Sequence, residues 1–309
     1  MRIINFDDAD PKLTWTKVME AMRTGHKLAK ADIGDLLLTD EDRGFLNRGA
    51  WIPGLGMALK AATIFPQNTS KTPPLPSVHS GVLLFSSDNG TMKALIDGQL
   101  VTKWKTAGDS VLGAKLLANP ESSRLLIVGA GAVARSLVEA YSEIFPSLDH
   151  IEIWNRTTER AAELVETLKG EGSPVQLSSD IEASAGQADI ISTATMASAP
   201  FLKGTWITPG THVDLIGAYR PDMREADDDL MQKAELFVDS RETTIDHIGE
   251  LRDPIARNVI RSEDVLGDLY DLCNAEKGRS GPDAITLYKN GGGAHLDLMT
   301  SVAIYDLVS

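Results

Sequence analysis

Apolar positions change period several times along the first hundred residues. Trp15, Val18, Met19, Met22 and Ala29 recur at helical spacing behind Thr14, whose hydroxyl suits an N-cap, so the pattern predicts a helix over 14–29. Short apolar runs at 36–38, 58–65, 78–85 and 92–96 are separated by Pro- and Gly-rich turns and read as strands. Asp88-Asn89-Gly90 lies between the last two, and Asn-Gly tolerates the positive φ of a tight hairpin. This part of the chain reads as an α+β unit on an antiparallel sheet.

Beyond Thr106 the rhythm becomes an alternation of strand and helix. A helical stretch over 107–118 leads into the strand 124–128, and further strands are predicted at 150–154, 189–194, 211–217 and 236–239. Val133, Leu137, Tyr141 and Ile144 form one helical stripe, stopped by Pro146. Ala161, Leu164, Val165 and Leu168 form another behind Thr157 or Thr158. Such alternation predicts a parallel sheet with helices on both faces. At the end, 285–288 reads as a strand, Gly291-Gly292-Gly293 as a turn and 294–307 as a helix. The fold class expected is α/β: a Rossmann-type doubly wound parallel sheet over 116–284, plus an α+β domain over 1–115 completed by 285–309.

Composition narrows the function classes. At 309 residues, with 42% hydrophobic and 24% charged residues, the chain is globular and long enough for two domains. Its net charge of −14 repels nucleic-acid phosphates and anionic lipids, so neither is an expected partner. No apolar run approaches the ~20 residues that span a bilayer. The first ten residues lack the basic-then-apolar pattern of a signal peptide, and Cys273 is the single cysteine, so neither a disulfide nor a zinc-type cysteine cluster is expected. A cytoplasmic protein without a metal centre is the expectation.

The chemistry enters at Leu126-Ile127-Val128-Gly129-Ala130-Gly131-Ala132-Val133-Ala134, an apolar strand running through Gly-x-Gly-x-x-Ala into a helix. Gly129 permits the tight turn, Gly131 the approach of a pyrophosphate, and Ala134 close helix–strand packing; Ala130, Ala132 and Val133 complete the loop and the helix N-terminus. An NAD-selective site carries an acid at the tip of the next strand. Here the tip reads Asn155-Arg156-Thr157, and a guanidinium suits a 2′-phosphate, so NADPH is preferred with NADH possible. Arg156 could equally be a solvated helix-start residue. Thr193, Ala194, Thr195 and Met196 follow one later strand, and Ile216 and Gly217 close the next; they read as nicotinamide-side contacts, or, for the threonines, simply as β-formers.

With these motifs in line, the chain resembles the ornithine cyclodeaminase/mu-crystallin family over nearly its whole length. The resemblance rests on Gly56-Met57-Ala58-Leu59-Lys60, Leu75-Pro76-Ser77-Val78-His79, Ala94-Leu95-Ile96-Asp97-Gly98, Thr102-Lys103-Trp104-Lys105-Thr106-Ala107, Trp154-Asn155-Arg156-Thr157, Pro209-Gly210-Thr211-His212-Val213 and Ile216-Gly217-Ala218-Tyr219-Arg220-Pro221-Asp222-Met223-Arg224-Glu225. It implies a homodimer with a Rossmann domain and a substrate-binding and dimerisation domain, acting with a nicotinamide cofactor on small amino or imino acids. It also implies cofactor contacts at Thr106, Asn290 and Gly291. Cyclodeaminases carry a catalytic Asp where this chain has Tyr219. Arg220-Pro221-Asp222 and Lys289-Asn290-Gly291-Gly292-Gly293-Ala294-His295-Leu296-Asp297 instead resemble the branch that reduces cyclic imines.

The activity implied is NAD(P)H-dependent reduction of Δ1-pyrroline-2-carboxylate or Δ1-piperideine-2-carboxylate to L-proline or L-pipecolate. Alternatives are an ornithine cyclodeaminase, an alanine-type amino-acid dehydrogenase and a non-enzymatic binding protein. An anionic substrate on an acidic protein needs local cations, and Lys60, Lys105 and Arg48 are the substrate-binding candidates. Lys60 sits among alanines and a leucine, costly for an idle ammonium unless it snorkels to water. Lys105 is read as preceding the helix, and a surface role is open for it as for Arg48. Lys60, Lys105 and Asp297 are the catalytic candidates, Lys60 first for handling the proton. His79 and His295 could act as acids or be structural. The run Glu225-Ala226-Asp227-Asp228-Asp229 reads as solvated charge opening a helix.

Overall fold

The structure, a computed structural model, describes residues 1–308. Contacts divide the chain into one unit made of Met1–Lys105 with the segment from Gly293 on, and another made of Thr106–Gly292.

The first unit holds a six-stranded sheet of β1 (Arg2–Ile4), β2 (Asp32–Asp40), β3 (Arg43–Ile52), β4 (Gly56–Ile64), β5 (Val78–Phe85) and β6 (Met92–Asp97), in the order β1-β6-β5-β4-β3-β2. β1 runs parallel to β6 and every other pair is antiparallel, so the sheet is mixed. Strand side chains alternate between faces. Ala50, Ile52, Ala58, Val82, Leu84, Ala94 and Ile96 are buried on one of them. The C-terminal helix Ala294–Leu307 packs over β2 to β5 and against the helix Trp15–Gly25. Gly25 makes that approach possible, since a Cβ there would lie 2.7 Å from the Met299 sulfur. The other face carries Leu36, Leu38, Phe45, Trp51 and Leu59, which are 36–55% exposed.

Two details depart from the pattern-based expectation, and the turn after β5 agrees with it. β3 has no clear apolar signal, because Gly44, Asn47, Arg48 and Gly49 interrupt it, yet it pairs along its length with both neighbours. The helix expected over 107–118 begins at Gly98 and runs to Leu117. Asp97 starts it by accepting hydrogen bonds from the backbone N–H of Gln99 and Leu100. Lys105 is therefore a helical residue rather than one preceding the helix. Between β5 and β6, Asn89 accepts from the backbone and hydroxyl of Thr91 while Gly90 takes φ +71°.

The second unit is an eight-stranded, wholly parallel sheet: β7 (Arg124–Val128), β8 (His150–Trp154), β9 (Val175–Leu177), β10 (Ile190–Thr193), β11 (His212–Leu215), β12 (Glu235–Val238), β13 (Val265–Gly267) and β14 (Thr286–Lys289). The order is β13-β12-β14-β11-β10-β7-β8-β9. The run from β9 to β14 reproduces the strand order of dinucleotide-binding folds, whose direction reverses between β7 and β10. β14 is inserted between β11 and β12, with Tyr288 and Lys289 fully buried. The chain therefore leaves this unit only after Gly292, and residues 106–115 belong here too, both departures from the expected boundaries at 115 and 285. No helix among the described residues is long and apolar enough to cross a membrane.

Candidate active site

At the end of β7, Gly129 adopts φ +127° and donates its N–H to the Trp154 carbonyl at 2.8 Å. A Cβ there would lie 2.7 Å from the Ala194 carbonyl, so the turn closes only on glycine. Gly131 caps the helix Ala132–Ile144, and a Cβ on it would project into open space. Ala134 is fully buried, which lets that helix lie close to the sheet. Helix N–H groups thus face a cleft of about 360 Å³. Gly129, Ala130 and Gly131 form one wall, Trp154 to Thr157 the next, and Ala194, Thr195 and Met196 a third. Phe201 stacks on Trp154 with ring centroids 6.5 Å apart. At the β8 tip the Asn155 amide donates to the Thr157 carbonyl at 2.8 Å. Exposed Arg156 and Arg160 line the same cleft. The donor set fits a nicotinamide dinucleotide. Arg160 and Phe201 were not singled out from the sequence; Arg160 had a signal, one helical turn after Arg156, and Phe201 had none.

The other predicted cofactor residues are not among those that line the cleft. Thr193 is fully buried in β10, its hydroxyl without a partner. Ala132 and Val133 form the first turn of the capped helix. The Thr106 carbonyl accepts from the Asn290 amide at 3.0 Å, and that amide also donates to the Ser110 hydroxyl. Gly291 donates its N–H to Asp239 at 3.0 Å. These contacts tie the segments around Thr106, Asn290 and Gly291 to their neighbours. Ile216 and Gly217 follow β11 outside the cleft wall, and a Cβ on Gly217 would overlap the Thr195 backbone.

The largest correction concerns Glu225, read from the sequence as solvated and found fully buried. Its Oε1 accepts from the Thr195 N–H at 3.0 Å and hydroxyl at 2.7 Å, and its Oε2 from the Gly217 N–H at 2.7 Å. Asp227, by contrast, caps the short helix Asp228–Lys233. Buried Glu250 accepts from the N–H groups of Glu225 and Ala226 at 2.8 and 2.9 Å. Burial, then the neighbouring Glu225 charge, pushes its carboxyl up to about 7. Asp214 accepts from Ser110, Ser192 and Tyr141, and burial raises it to about 6. Asp239, which also accepts from Thr244, is likewise raised by burial. Lys289, fully buried, is the cation within reach of all four acids; it donates to the Leu215 and Asn290 carbonyls at 2.8 and 2.9 Å.

In the first unit, Arg48 on β3 and Lys60 on β4 lie directly opposite one another. Such cross-strand partners project from the same face. Lys60 donates to Asp297 at 3.1 Å and to the Thr102 hydroxyl at 2.9 Å, with its side chain 13% exposed and that of Asp297 3%. Thr102 donates in turn to the Gly98 carbonyl, so its lone pairs are what Lys60 meets. Arg48 donates to Asp35 at 2.9 Å. Half-buried Lys105 adds to the positive field at His295. His295 is fully buried, edge-on to His26 at 5.5 Å between centroids. Burial, then His26 and the surrounding cations, holds it well below the usual imidazole range, so it is a neutral ring. His79 is exposed on β5. Lys60, Asp297, Arg48 and Lys105 thus belong to one unit, and His295, held neutral by burial, brings no proton to them.

The family model described as "Ornithine cyclodeaminase/mu-crystallin family" matches residues 53–309. The chain is similar to the Delta(1)-pyrroline-2-carboxylate reductase of Paracoccus denitrificans, 50% identical over 299 residues that cover 96% of this chain and 94% of the relative. It is similar in structure to Thermococcus litoralis Delta(1)-pyrroline-2-carboxylate reductase in complex with NADH and L-proline, at TM-score 0.91 and 26% identity, covering 99% and 97% of the two chains. An archaeal alanine dehydrogenase dimer with bound NAD matches at TM-score 0.90 and 25% identity, covering 99% and 95%.

Proposed function

The chain belongs to the ornithine cyclodeaminase/mu-crystallin family, and from that membership and the two sites above we propose that it reduces the C=N bond of a cyclic imino acid with a nicotinamide cofactor. The substrates are Δ1-pyrroline-2-carboxylate and its six-membered homologue, the products L-proline and L-pipecolate. The observation that carries this reading is the Lys60–Asp297 pair with Arg48 directly opposite Lys60, two cations on one face of the sheet, the Lys60 side chain largely buried.

When bound, the reduced nicotinamide supplies a hydride. The protein's own residues hold the substrate and manage charge. An ammonium has three donors. Two of those on Lys60 are committed to Asp297 and Thr102, which leaves the third for the substrate carboxylate. Arg48 and Lys105 add the positive charge that an anion needs on a protein of net charge −14. Asp297 offers negative charge to the protonated ring nitrogen, the form that accepts hydride. Imine, reduced cofactor and one proton give amine and oxidised cofactor.

Arg156 and Arg160, with no acid at the β8 tip, support a preference for NADPH over NADH. The apolar outer face of the first unit's sheet supports a homodimer. Leu36, Leu38, Phe45, Trp51 and Leu59 share the exposed face of the sheet, with Ile3 and Leu95 on the same side. Patches of this kind mark interfaces. A cytoplasmic setting, where reduced nicotinamides are maintained, completes the proposal. The test is oxidation of NADPH by each imino acid with ammonium omitted, followed by chiral analysis of the product; absence of L-proline and L-pipecolate overturns it.

A further inference from the structure

In the parallel sheet, the loops after β10 and β11 lie on the side of the strand-order reversal away from the Gly-rich turn, where a dinucleotide lays its nicotinamide half. Sheet pairing continues one residue past each strand, where the Ala194 N–H donates to the Val128 carbonyl at 2.8 Å and the Ile216 N–H to the Thr193 carbonyl at 2.9 Å, and ends there. Both loops are then tied to one side chain: Oε1 of Glu225 receives two hydrogen bonds from Thr195, and Oε2 receives one from Gly217. The Glu225 backbone is fixed on both sides. Its N–H donates to Glu250, and its carbonyl accepts from Phe201 and Leu202 at 3.0 and 2.9 Å. Lys289 supplies the compensating charge and anchors the end of β11 through the Leu215 carbonyl.

We propose that Glu225 is a positioning residue for the nicotinamide half of the cofactor, setting the spacing of the Thr195 and Gly217 loops through the two oxygens of one buried carboxylate. The proposal rests on the reading that this cleft takes a nicotinamide dinucleotide. The carboxylate spans two backbone N–H donors and a hydroxyl at once, an acceptor-only task. An amide of the same shape cannot perform it, because its NH2 would face one of those donors. The Gly-rich turn, Arg156 and Arg160 have no hydrogen bond to Glu225, so the adenosine half does not depend on it.

The experiment compares E225Q with the unaltered protein, using NADH and ADP-ribose as separate probes in a calorimeter, alongside circular dichroism. Losing charge-assisted hydrogen bonds predicts NADH binding weakened by about tenfold or more in E225Q. ADP-ribose affinity should stay within about twofold, and kcat/KM for NADH should fall further than kcat, because the KM for NADH rises as its binding weakens. Equal loss of both probes overturns the proposal and makes Glu225 merely structural, as does unchanged NADH binding. Should E225Q fail to fold, Thr195→Val removes one of the three donors and leaves the backbone pair. The same split between NADH and ADP-ribose is expected of it, and its absence is equally decisive. If the unaltered protein binds neither NADH nor ADP-ribose, it is the dinucleotide reading that fails.

Discussion

The Lys60 ammonium and the Asp297 carboxylate lie 3.1 Å apart, although residues 60 and 297 come from opposite ends of the chain. The return of the C-terminal helix over β4 creates the pair, and it is largely shielded from water. Removing one member strands the other. Lys60→Met is expected to lower imine reduction by about a hundredfold or more. It should also destabilise the protein by about 3 kcal/mol through the unpaired Asp297. A double variant, Lys60→Met with Asp297→Asn, should recover most of the melting temperature and none of the activity. Steady-state rates and thermal melts of the four proteins check this; recovery of activity in the double variant would remove the pair from the chemistry.

Gly129 and Gly131 are two residues apart and fail differently. A side chain at Gly131 meets no neighbour and the residue's φ of −96° is open to any amino acid. Gly131→Val should therefore fold with an unchanged melt and lose nucleotide binding. Gly129→Ala must leave the φ +127° turn and collide with Ala194, so it should lower the melting temperature. Paired melts and nucleotide titrations separate the two outcomes.

The proposed preference for NADPH assigns the 2′-phosphate to Arg156 and Arg160. Replacing Arg156 by Ala should raise the KM for NADPH by about tenfold or more, the worth of a charge-assisted contact, and leave that for NADH nearly unchanged. Equal effects on the two cofactors would assign Arg156 to the solvated surface.

The outer sheet face gives an assembly prediction. Trp51→Glu or Phe45→Glu, each on the exposed side, should turn a dimer into a monomer in sedimentation velocity while leaving the buried face of the sheet intact. A wild-type protein that sediments as a monomer contradicts the assignment.

Glu250 gives a pH signature with a definite sign. Its carboxyl is raised to about 7, above the 4.5 of an unperturbed glutamate, so the folded state holds the proton longer than the unfolded chain. Its contribution to stability is fully present below the unfolded value and is lost as pH rises through the folded one, on the order of 3 kcal/mol at most. Buried His26 and His212, held down to about 4 and about 3 by burial, slope the opposite way over much of that range. The difference between wild type and Glu250→Gln isolates the acid: the variant's deficit should shrink as pH rises from about 4.5 to about 7. Denaturant melts across that range test it, and a constant deficit contradicts it.

Local patterns carried most of the second unit. Arg124–Val128 occurs where its continuous apolar run places it, because a parallel strand covered on both faces must be apolar, and His150–Trp154 follows the alternation of its buried Ile151 and Ile153 with partly exposed neighbours. β3 escaped because its side chains serve a cation site on one face and an exposed surface on the other, which erases the usual alternation. The Gly-rich turn was legible since its chemistry is contiguous. Glu225 and Lys289 were not: their burial depends on Glu250 and on β14 entering the sheet between β11 and β12, contacts far apart in the chain. An acidic run at a helix start looks solvated until tertiary structure covers its first member.

The most direct test of the central claim is the initial rate of NADPH and NADH oxidation by purified protein with Δ1-pyrroline-2-carboxylate, ammonium excluded, beside L-ornithine with NAD+ assayed for ammonia. The account predicts rapid oxidation without ammonium, faster with NADPH, and no ammonia from ornithine. Silence with the imine together with ammonia release from ornithine would contradict it, and would mean that an acid other than one at the Tyr219 position performs a lyase reaction in this fold.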